Sequence, residues 1–138
     1  MNPSRVAERG LITSDACGGT LTGYALCFDK VSMQHPEEAH ANIVYAPDDR
    51  VEGVLYTLEG VDEILKMDPF ERAPINYGRE AVPVRTHRGV EWAWTYFANR
   101  AMRAPGKLPS EAYLAHLLAG RPFLSDVYFD QLLEWPTA

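Results

Sequence analysis

The segment from Thr20 to Asp29 is apolar on both of the faces that an extended chain presents. Its alternating residues are Leu21, Gly23, Ala25 and Cys27 on one side and Thr22, Tyr24, Leu26 and Phe28 on the other. Because successive side chains of a strand point to opposite faces of a sheet, this pattern predicts a strand that is buried on both sides. The segment from Val51 to Leu58 is also predicted to form a strand. A sheet built from such strands either curls into a small barrel or is covered by helices on its open side.

The order of the predicted elements opposes a doubly wound parallel sheet. Pro47 to Asp49 has the composition of a turn. The remaining predicted elements are a short helix ending by Ile12, a strand over Ala41 to Tyr45, a short helix over Gly60 to Met67, a hairpin of Tyr77 to His87 and Val90 to Ala98, and two closing helices capped by Ser110 and Ser125. These elements provide too few helical crossovers for parallel strands. We therefore predict an α+β fold, a small mixed, mostly antiparallel β-barrel flanked by short helices.

Length and charge limit the classes of function. The 138 residues, 46% of them hydrophobic, suit one domain over residues 1–138. No apolar run approaches the roughly 20 residues that cross a bilayer, and no apolar leader follows Asn2-Pro3-Ser4-Arg5. We expect a cytoplasmic protein without a membrane partner. The net charge of -6, with arginines scattered along the chain, argues against a nucleic-acid partner.

The cysteines and histidines argue against disulfides and metals. Cys17 and Cys27 are two thiols in a domain large enough to need no cross-link, so we expect both to be reduced. The four histidines show no paired spacing of the His-x-x-x-His type, and no carboxylate cluster stands beside them; they are His35, His40, His87 and His116. We expect neither a metal site nor an organic cofactor.

The stretch Asp68-Pro69-Phe70-Glu71 has two interpretations. Taken alone it is typical of a helix start, with Asp68 as N-cap, Pro69 at the first helical position and Glu71 reaching back to the Asp68 N–H. The alternative is that the Glu71 carboxylate takes part in chemistry. The two roles compete for the same oxygens, and the local sequence favours the cap.

Four stretches of the sequence, taken in order, span essentially the whole chain. They are Ala41-Asn42-Ile43-Val44 with Val51-Glu52-Gly53-Val54-Leu55-Tyr56, the passage Val61 to Glu71 with Leu65 and Asp68, the strand Tyr77-x-Arg79-x-x-Val82-x-Val84, and Pro109-Ser110-Glu111-Ala112-Tyr113-Leu114 to Gly120. Each motif is weak alone. Together they resemble the γ-glutamylcyclotransferase-like (AIG2-like) family, small barrel-with-helices proteins that release 5-oxoproline from γ-glutamyl amines.

The resemblance implies that Glu71 is the general base and then the general acid of a cyclisation. It also implies a small-molecule γ-glutamyl amine or amino acid as substrate, with Tyr113, Tyr77, Asn2 and Met1 near it. Tyr113 has a competing interpretation as an amphipathic core residue whose hydroxyl reaches the surface. With the family register added, catalysis becomes the favoured role for Glu71.

One departure from the family pattern affects the expected activity. The family begins with a short strand running into a Tyr-Gly-Ser-Asn loop whose backbone N–H groups bind substrate, whereas this sequence starts at Met1-Asn2-Pro3, where that loop would end. We expect a start site placed too late, a trimmed N-terminus, or a natural homologue without the reaction. The alternative function is thus an inactive homologue acting as a small-molecule binding or protein-interaction module. An exposed strand edge in that region would favour a homodimer.

Several other polar and aromatic residues are weaker candidates. Glu52 lies on a strand expected to be largely buried, which makes it a second acid/base candidate, because a buried lone carboxylate is costly. Arg79 is expected to be a solvated charge on a strand face, and Asn42 a hydrogen-bonding residue at a strand edge. The aromatic residues of the last strand are expected to form a packed sheet face rather than a ligand platform: Trp92, Trp94 and Tyr96.

Overall fold

The architecture, taken from a computed structural model that describes residues 2–138, combines one sheet with short helices. Met1 lies outside the described residues, so its predicted substrate contact has no structural account. In chain order the elements are α1 (Pro3–Glu8), β1 (Thr13–Val31), β2 (Ala39–Leu58), a 3-10 helix (Glu63–Lys66), β3 (Tyr77–Thr86), β4 (Gly89–Ala98), a 3-10 helix (Arg100–Met102), α2 (Glu111–Leu118), a 3-10 helix (Arg121–Phe123) and α3 (Asp126–Leu133).

The sheet is four-stranded and antiparallel, with the strand order β2-β1-β3-β4. The predicted α+β class is therefore confirmed, but the prediction of a closed barrel is wrong. Within the described chain β2 and β4 form opposite edges of the sheet, and β1 pairs with β3 only at Thr20 and Arg85. The fold is two long hairpins joined at a narrow contact, which opens the sheet where a barrel would close.

The β1 and β2 strands are much longer than predicted. The segments Ala41 to Tyr45 and Val51 to Leu58 belong to one strand, and the expected turn at Pro47 to Asp49 is an irregularity inside it. Opposite this irregularity, Gly23 of β1 has a φ of 83°, a conformation that glycine adopts without a Cβ clash. Four residues of β2, 46–49, stand opposite Gly23 alone, so β2 has three extra residues, which form a bulge and bend the hairpin while the strands pair on either side of it.

Asn42 connects the two open edges of the sheet. Its side-chain amide nitrogen donates to Asp29 Oδ1 at 2.9 Å, and its side-chain oxygen accepts from the Ala98 N–H of β4 at 2.9 Å. A side chain thus takes the place of a backbone ladder between β2 and β4. The predicted hydrogen-bonding role of Asn42 is confirmed, and it links different strands.

The helices pack against one side of the long hairpin. Phe28, Ala39, Leu114 and Leu117 form one buried cluster, and Leu124, Tyr128 and Leu132 form another. The predicted caps are confirmed, because Ser110 accepts from the Tyr113 N–H and Ser125 from the Tyr128 N–H. The helix predicted over Gly60 to Met67 is only a 3-10 turn at Glu63–Lys66. No helix in the described part of the chain is long and apolar enough to span a membrane.

Candidate active site

A cavity of about 630 Å³ opens between α1, the β1–β2 hairpin, the loop before β3 and helix α2. Its walls carry Glu71, Tyr77, Tyr113 and Asn2, which are the predicted site residues within the described chain. Elements distant in sequence supply these side chains, so the long hairpin and the packing of α2 bring them together. The volume is that of a small-molecule site.

Glu71 lies in the loop after the first 3-10 helix. It forms an ion pair with Arg9, the residue that follows α1. Its Oε1 accepts from Arg9 Nη1 at 2.9 Å, and the two side chains are only 22% and 18% exposed. The loop turns back on itself through the Glu71 N–H, which donates to Met67 O at 3.1 Å. The carboxylate is therefore fixed at the cavity wall by a charge-assisted hydrogen bond from Arg9.

The interpretation of Glu71 as a helix-capping residue is wrong. Residues 68–75 form consecutive turns and no helix, and the Glu71 carboxylate bonds to Arg9 instead of the Asp68 N–H. Asp68 itself accepts from the Tyr96 hydroxyl at 2.5 Å and pairs with Arg79 at 3.1 Å. These bonds anchor the loop that carries Glu71 to strands β3 and β4.

Arg79 and the aromatic residues of β4 differ from their predictions. Arg79 pairs with Asp68 and lies over the Trp94 ring at 4.5 Å from the guanidinium carbon, with only 21% of its side chain exposed, so it is not a solvated charge. The three aromatic residues do not form a packed face, since Trp92 is 74% and Trp94 51% exposed. Trp94 and Tyr96 line the cavity, and Trp92 lies two residues away on the same face of β4.

Tyr77 and Tyr113 bind the backbone of the same residue, Ala41, at the cavity wall. The Tyr77 hydroxyl donates to Ala41 O at 2.9 Å, whereas the Tyr113 hydroxyl accepts from the Ala41 N–H at 3.1 Å. Burial first, and the negative charge of Glu71 among the further causes, raises the pKa of both phenols. Both stay protonated at neutral pH. The Tyr113 proton has no acceptor among the described residues, so this hydroxyl can donate to a ligand.

Histidines line the same wall. His40 stacks on Tyr113 with ring centroids 4.4 Å apart and an angle of 8° between the planes. Burial, followed by the charges of Lys30 and Arg5, lowers the pKa of His40 to about 4, so its ring is neutral at physiological pH. The Asn2 side-chain nitrogen donates to His116 Nδ1 at 3.1 Å, and the Asn2 side-chain oxygen accepts from the Ser4 N–H. Asn2 thus lines the cavity with its side chain already bonded.

Sequence reasoning missed the cations that line the cavity, among them Arg9 and Lys30. Arg9 comes from the amphipathic α1 and gives no signal of its own in the sequence. Lys30 follows the apolar run of β1 and is only 3% exposed. A charged residue at the end of a strand that is apolar on both faces was the sequence feature that could have indicated a buried cation. Its ammonium nitrogen lies 5.6 Å from the centre of the Tyr77 ring.

Glu52 is a structural residue rather than a second acid/base group. Its Oε2 accepts from the Ser125 N–H and its Oε1 from the Ser125 hydroxyl, both at 2.8 Å. It therefore supports the N-terminus of α3, where a negative charge is favourable. Both carboxylate oxygens are occupied by this bond pair.

The prediction that no carboxylates stand beside a histidine is wrong for the loop after β1. His35, Glu37 and Glu38 bring one potential ligand atom each to within 4.8 Å of one another. The group is mostly exposed, and His35 and Glu37 approach to 3.7 Å as a surface ion pair. The cysteines are free thiols, with Cys17 buried and Cys27 half-buried.

Fold and site together define a small α+β domain with a carboxylate and two tyrosine hydroxyls at the wall of a cavity. The chain belongs to the family described as γ-glutamyl cyclotransferase, AIG2-like, whose model matches residues 7–115. The resemblance noted from the sequence motifs is thereby confirmed. A search of curated protein sequences finds no match.

Solved structures share the fold at low sequence identity. One named γ-glutamyl cyclotransferase superposes with a TM-score of 0.84 at 18% identity, covering 99% of this chain and 83% of its own. The uncharacterized protein loc79017 from Homo sapiens gives 0.81 at 21% identity, covering 97% and 81% of the two chains. YkqA from Bacillus subtilis gives 0.78 at 16% identity, covering 99% of this chain and 52% of its own.

Proposed function

We propose that this protein catalyses a γ-glutamyl cyclotransferase reaction, releasing 5-oxoproline from a γ-glutamyl amine or amino acid. The observation that carries the proposal is the position of the Glu71 carboxylate, fixed by Arg9 at the wall of a cavity that it shares with two protonated phenols. Membership of the γ-glutamyl cyclotransferase, AIG2-like family supports the same chemistry.

The reaction needs one proton acceptor that later becomes a donor. Glu71 takes a proton from the α-amino group of the γ-glutamyl unit as the nitrogen attacks the γ-carbonyl carbon of the same molecule. The tetrahedral intermediate then collapses when the protonated Glu71 gives that proton to the leaving nitrogen, and the bond between the γ-carbon and that nitrogen breaks. Protons and atoms balance without a second reactant, and the nucleophile is already tethered to its target.

Tyr113 is the best-placed group to stabilise the developing oxyanion. Its hydroxyl proton lacks an acceptor within residues 2–138, while its oxygen is fixed by the Ala41 N–H at 3.1 Å. A donor held in place before the reaction costs no reorganisation when negative charge develops. Tyr77 has a different role, because its proton is already donated to Ala41 O at 2.9 Å. We assign Tyr77 to positioning Ala41 and shaping the cavity.

The test is to incubate the protein with a γ-glutamyl dipeptide or a γ-glutamyl amine and to measure 5-oxoproline by liquid chromatography with mass spectrometry. Product formation that depends on Glu71 supports the proposal. Absence of product with every γ-glutamyl compound offered refutes it.

The ion pair itself favours a second candidate function, a binding module without turnover. Glu71 Oε1 is already occupied by Arg9, so this oxygen is not free to take a proton from a substrate while the ion pair is in place. Under this alternative the protein binds a γ-glutamyl compound, detectable by calorimetry, and releases no 5-oxoproline. The same pair of measurements therefore separates the enzyme from the module.

A further inference from the structure

Lys30 is a buried cation at the wall of the cavity. It lies near the end of β1, is 3% exposed, and lines the same cavity as Glu71 and Tyr77. Within residues 2–138 no carboxylate lies within ion-pair distance of its ammonium nitrogen, and no hydrogen-bond acceptor contacts it. The face of the Tyr77 ring lies 5.6 Å from this nitrogen, and the charges of Glu71 and Arg72 act on it without a direct contact. The neighbouring Asp29 carboxylate is committed elsewhere, to Arg103 at 2.7 Å and to Asn42.

An unpaired buried ammonium group is costly. Buried charges in folded proteins are almost always paired, since removal from water carries a penalty that only a close partner offsets. Other cations of this chain follow that rule, including Arg9, Arg79 and Arg103, which all bond to carboxylates. Lys30 breaks the rule at the wall of the cavity, where a ligand can enter. The cost is explained if a bound anion completes the pair.

Further positive charge surrounds the cavity. Arg5 and Arg72 line it as well, and neither forms an ion pair with a carboxylate in the described part of the chain. The protein as a whole carries a net charge of -6, so this clustering opposes the overall charge. Glu52 and Glu71 line the cavity too, so its four cations outnumber its two carboxylates. An excess of positive charge in a concave surface attracts anionic ligands.

We propose that Lys30 binds the α-carboxylate of the γ-glutamyl group, and this proposal rests on the proposed function. The substrate's α-carbon carries both the amino group that must face Glu71 and the carboxylate one bond further on. Glu71 and Lys30 line the same cavity, so a carboxylate and an ammonium group are available there for the two charged ends of an amino-acid head group. Lys30 is thus a substrate-binding residue that selects ligands with a free α-carboxylate.

The test compares two probes that differ only in this carboxylate, 5-oxo-L-proline and 2-pyrrolidinone. Calorimetry measures the Kd of each for the wild-type protein, for Lys30→Met and for Lys66→Met. Lys66 is an exposed lysine paired with Glu63 at 2.7 Å, so its variant removes the same charge far from the carboxylate site. We expect the wild type and Lys66→Met to prefer 5-oxoproline by about tenfold to a hundredfold, the range of a charged hydrogen bond. Lys30→Met loses most of this preference and keeps its affinity for 2-pyrrolidinone.

The possible results are distinguishable. If Lys30→Met keeps the preference, or if Arg5→Met loses it instead, the assignment of Lys30 is overturned while the proposed function stands. If the wild-type protein binds neither probe and forms no product, the proposed function falls together with this proposal. A measurement on the wild type covers the case in which Lys30→Met does not fold. Nuclear magnetic resonance of the Lys30 Cε must show its pKa rising on addition of 5-oxoproline and staying constant with 2-pyrrolidinone, and equal responses to both overturn the proposal.

Discussion

Replacement of Glu71 by glutamine separates its proposed chemical role from its structural one. Glutamine keeps the length of the side chain and an oxygen that can still accept from Arg9, but it cannot carry a proton between the amine and the leaving group. Loss of a general acid/base group lowers kcat/KM by about 100-fold to 10,000-fold, equivalent to roughly 3 to 5 kcal/mol. We expect a loss in this range, measured as 5-oxoproline released per unit time.

The structural contribution of the same carboxylate is much smaller. The ion pair to Arg9 spans 2.9 Å between side chains that are 18% and 22% exposed, and hydrogen bonds to charged groups contribute about 1.5 to 3 kcal/mol. Because glutamine retains the acceptor, we expect a loss of about 1 kcal/mol, or a few degrees in Tm. A 100-fold loss through unfolding would require 99% unfolded protein, and so the loss of the entire stability of roughly 5 to 15 kcal/mol.

Glu63→Gln is the matched control. Glu63 also sits in an ion pair, accepting from Lys66 at 2.7 Å and from the Ile12 N–H at 2.9 Å, and its side chain is 14% exposed. Its replacement costs comparable stability, and we expect full activity. The reasoning is refuted if Glu71→Gln keeps more than about a tenth of the wild-type kcat/KM, or if the two variants lose activity equally.

Three further predictions concern the neighbouring groups. Tyr113→Phe removes the free hydroxyl proton and is expected to lower kcat by about 100-fold, the effect of losing one oxyanion donor. In the same assay Tyr77→Phe is expected to lower stability more than kcat. Equal losses of kcat in the two variants would contradict the assignment. His40 has a folded-state pKa of about 4, below its usual 6.5, so its contribution to stability is fully present above pH 6.5 and is lost as the pH falls toward 4. Denaturant titrations should show His40→Phe flattening this dependence by at most roughly 3 kcal/mol, and an unchanged pH profile would count against the burial of the ring. Ser125→Ala removes the N-cap of α3 and should cost about 1 to 2 kcal/mol in thermal unfolding, without a change in kcat.

Much of the fold followed from local rules that act over a few residues. The alternation in Thr20 to Asp29, the hairpin between β3 and β4, and the serine caps at Ser110 and Ser125 were all predicted, because each depends on side-chain periodicity or on a short hydrogen bond near in sequence. The fusion of two predicted strands into β2 was not predicted. Its proline and aspartates favour a turn locally, and pairing with β1 overrides that preference.

Whether the sheet closes into a barrel could not be predicted from the sequence, for a related reason. Whether a curled sheet closes depends on pairing between strands remote in the chain, and here β1 and β3 meet at one residue pair while Asn42 bridges the open edges. The exposure of Trp92 and Trp94 was also beyond the sequence, because it depends on what the tertiary arrangement places over that face of β4. A hydrophobic pattern states that a face can be buried, but only the tertiary arrangement supplies the partner.

The candidate site shows the same division. The sequence by itself determined that Glu71 belongs to a motif series of the γ-glutamyl cyclotransferase, AIG2-like family and that Tyr77 and Tyr113 accompany it, because their order along the chain is readable. Only the tertiary structure decided that Arg9, 62 residues away, pairs with Glu71 in place of a helix cap. It likewise decided that Lys30 is buried without a carboxylate partner. Ion pairing and desolvation depend on distances between elements remote in sequence, and no local pattern encodes those distances.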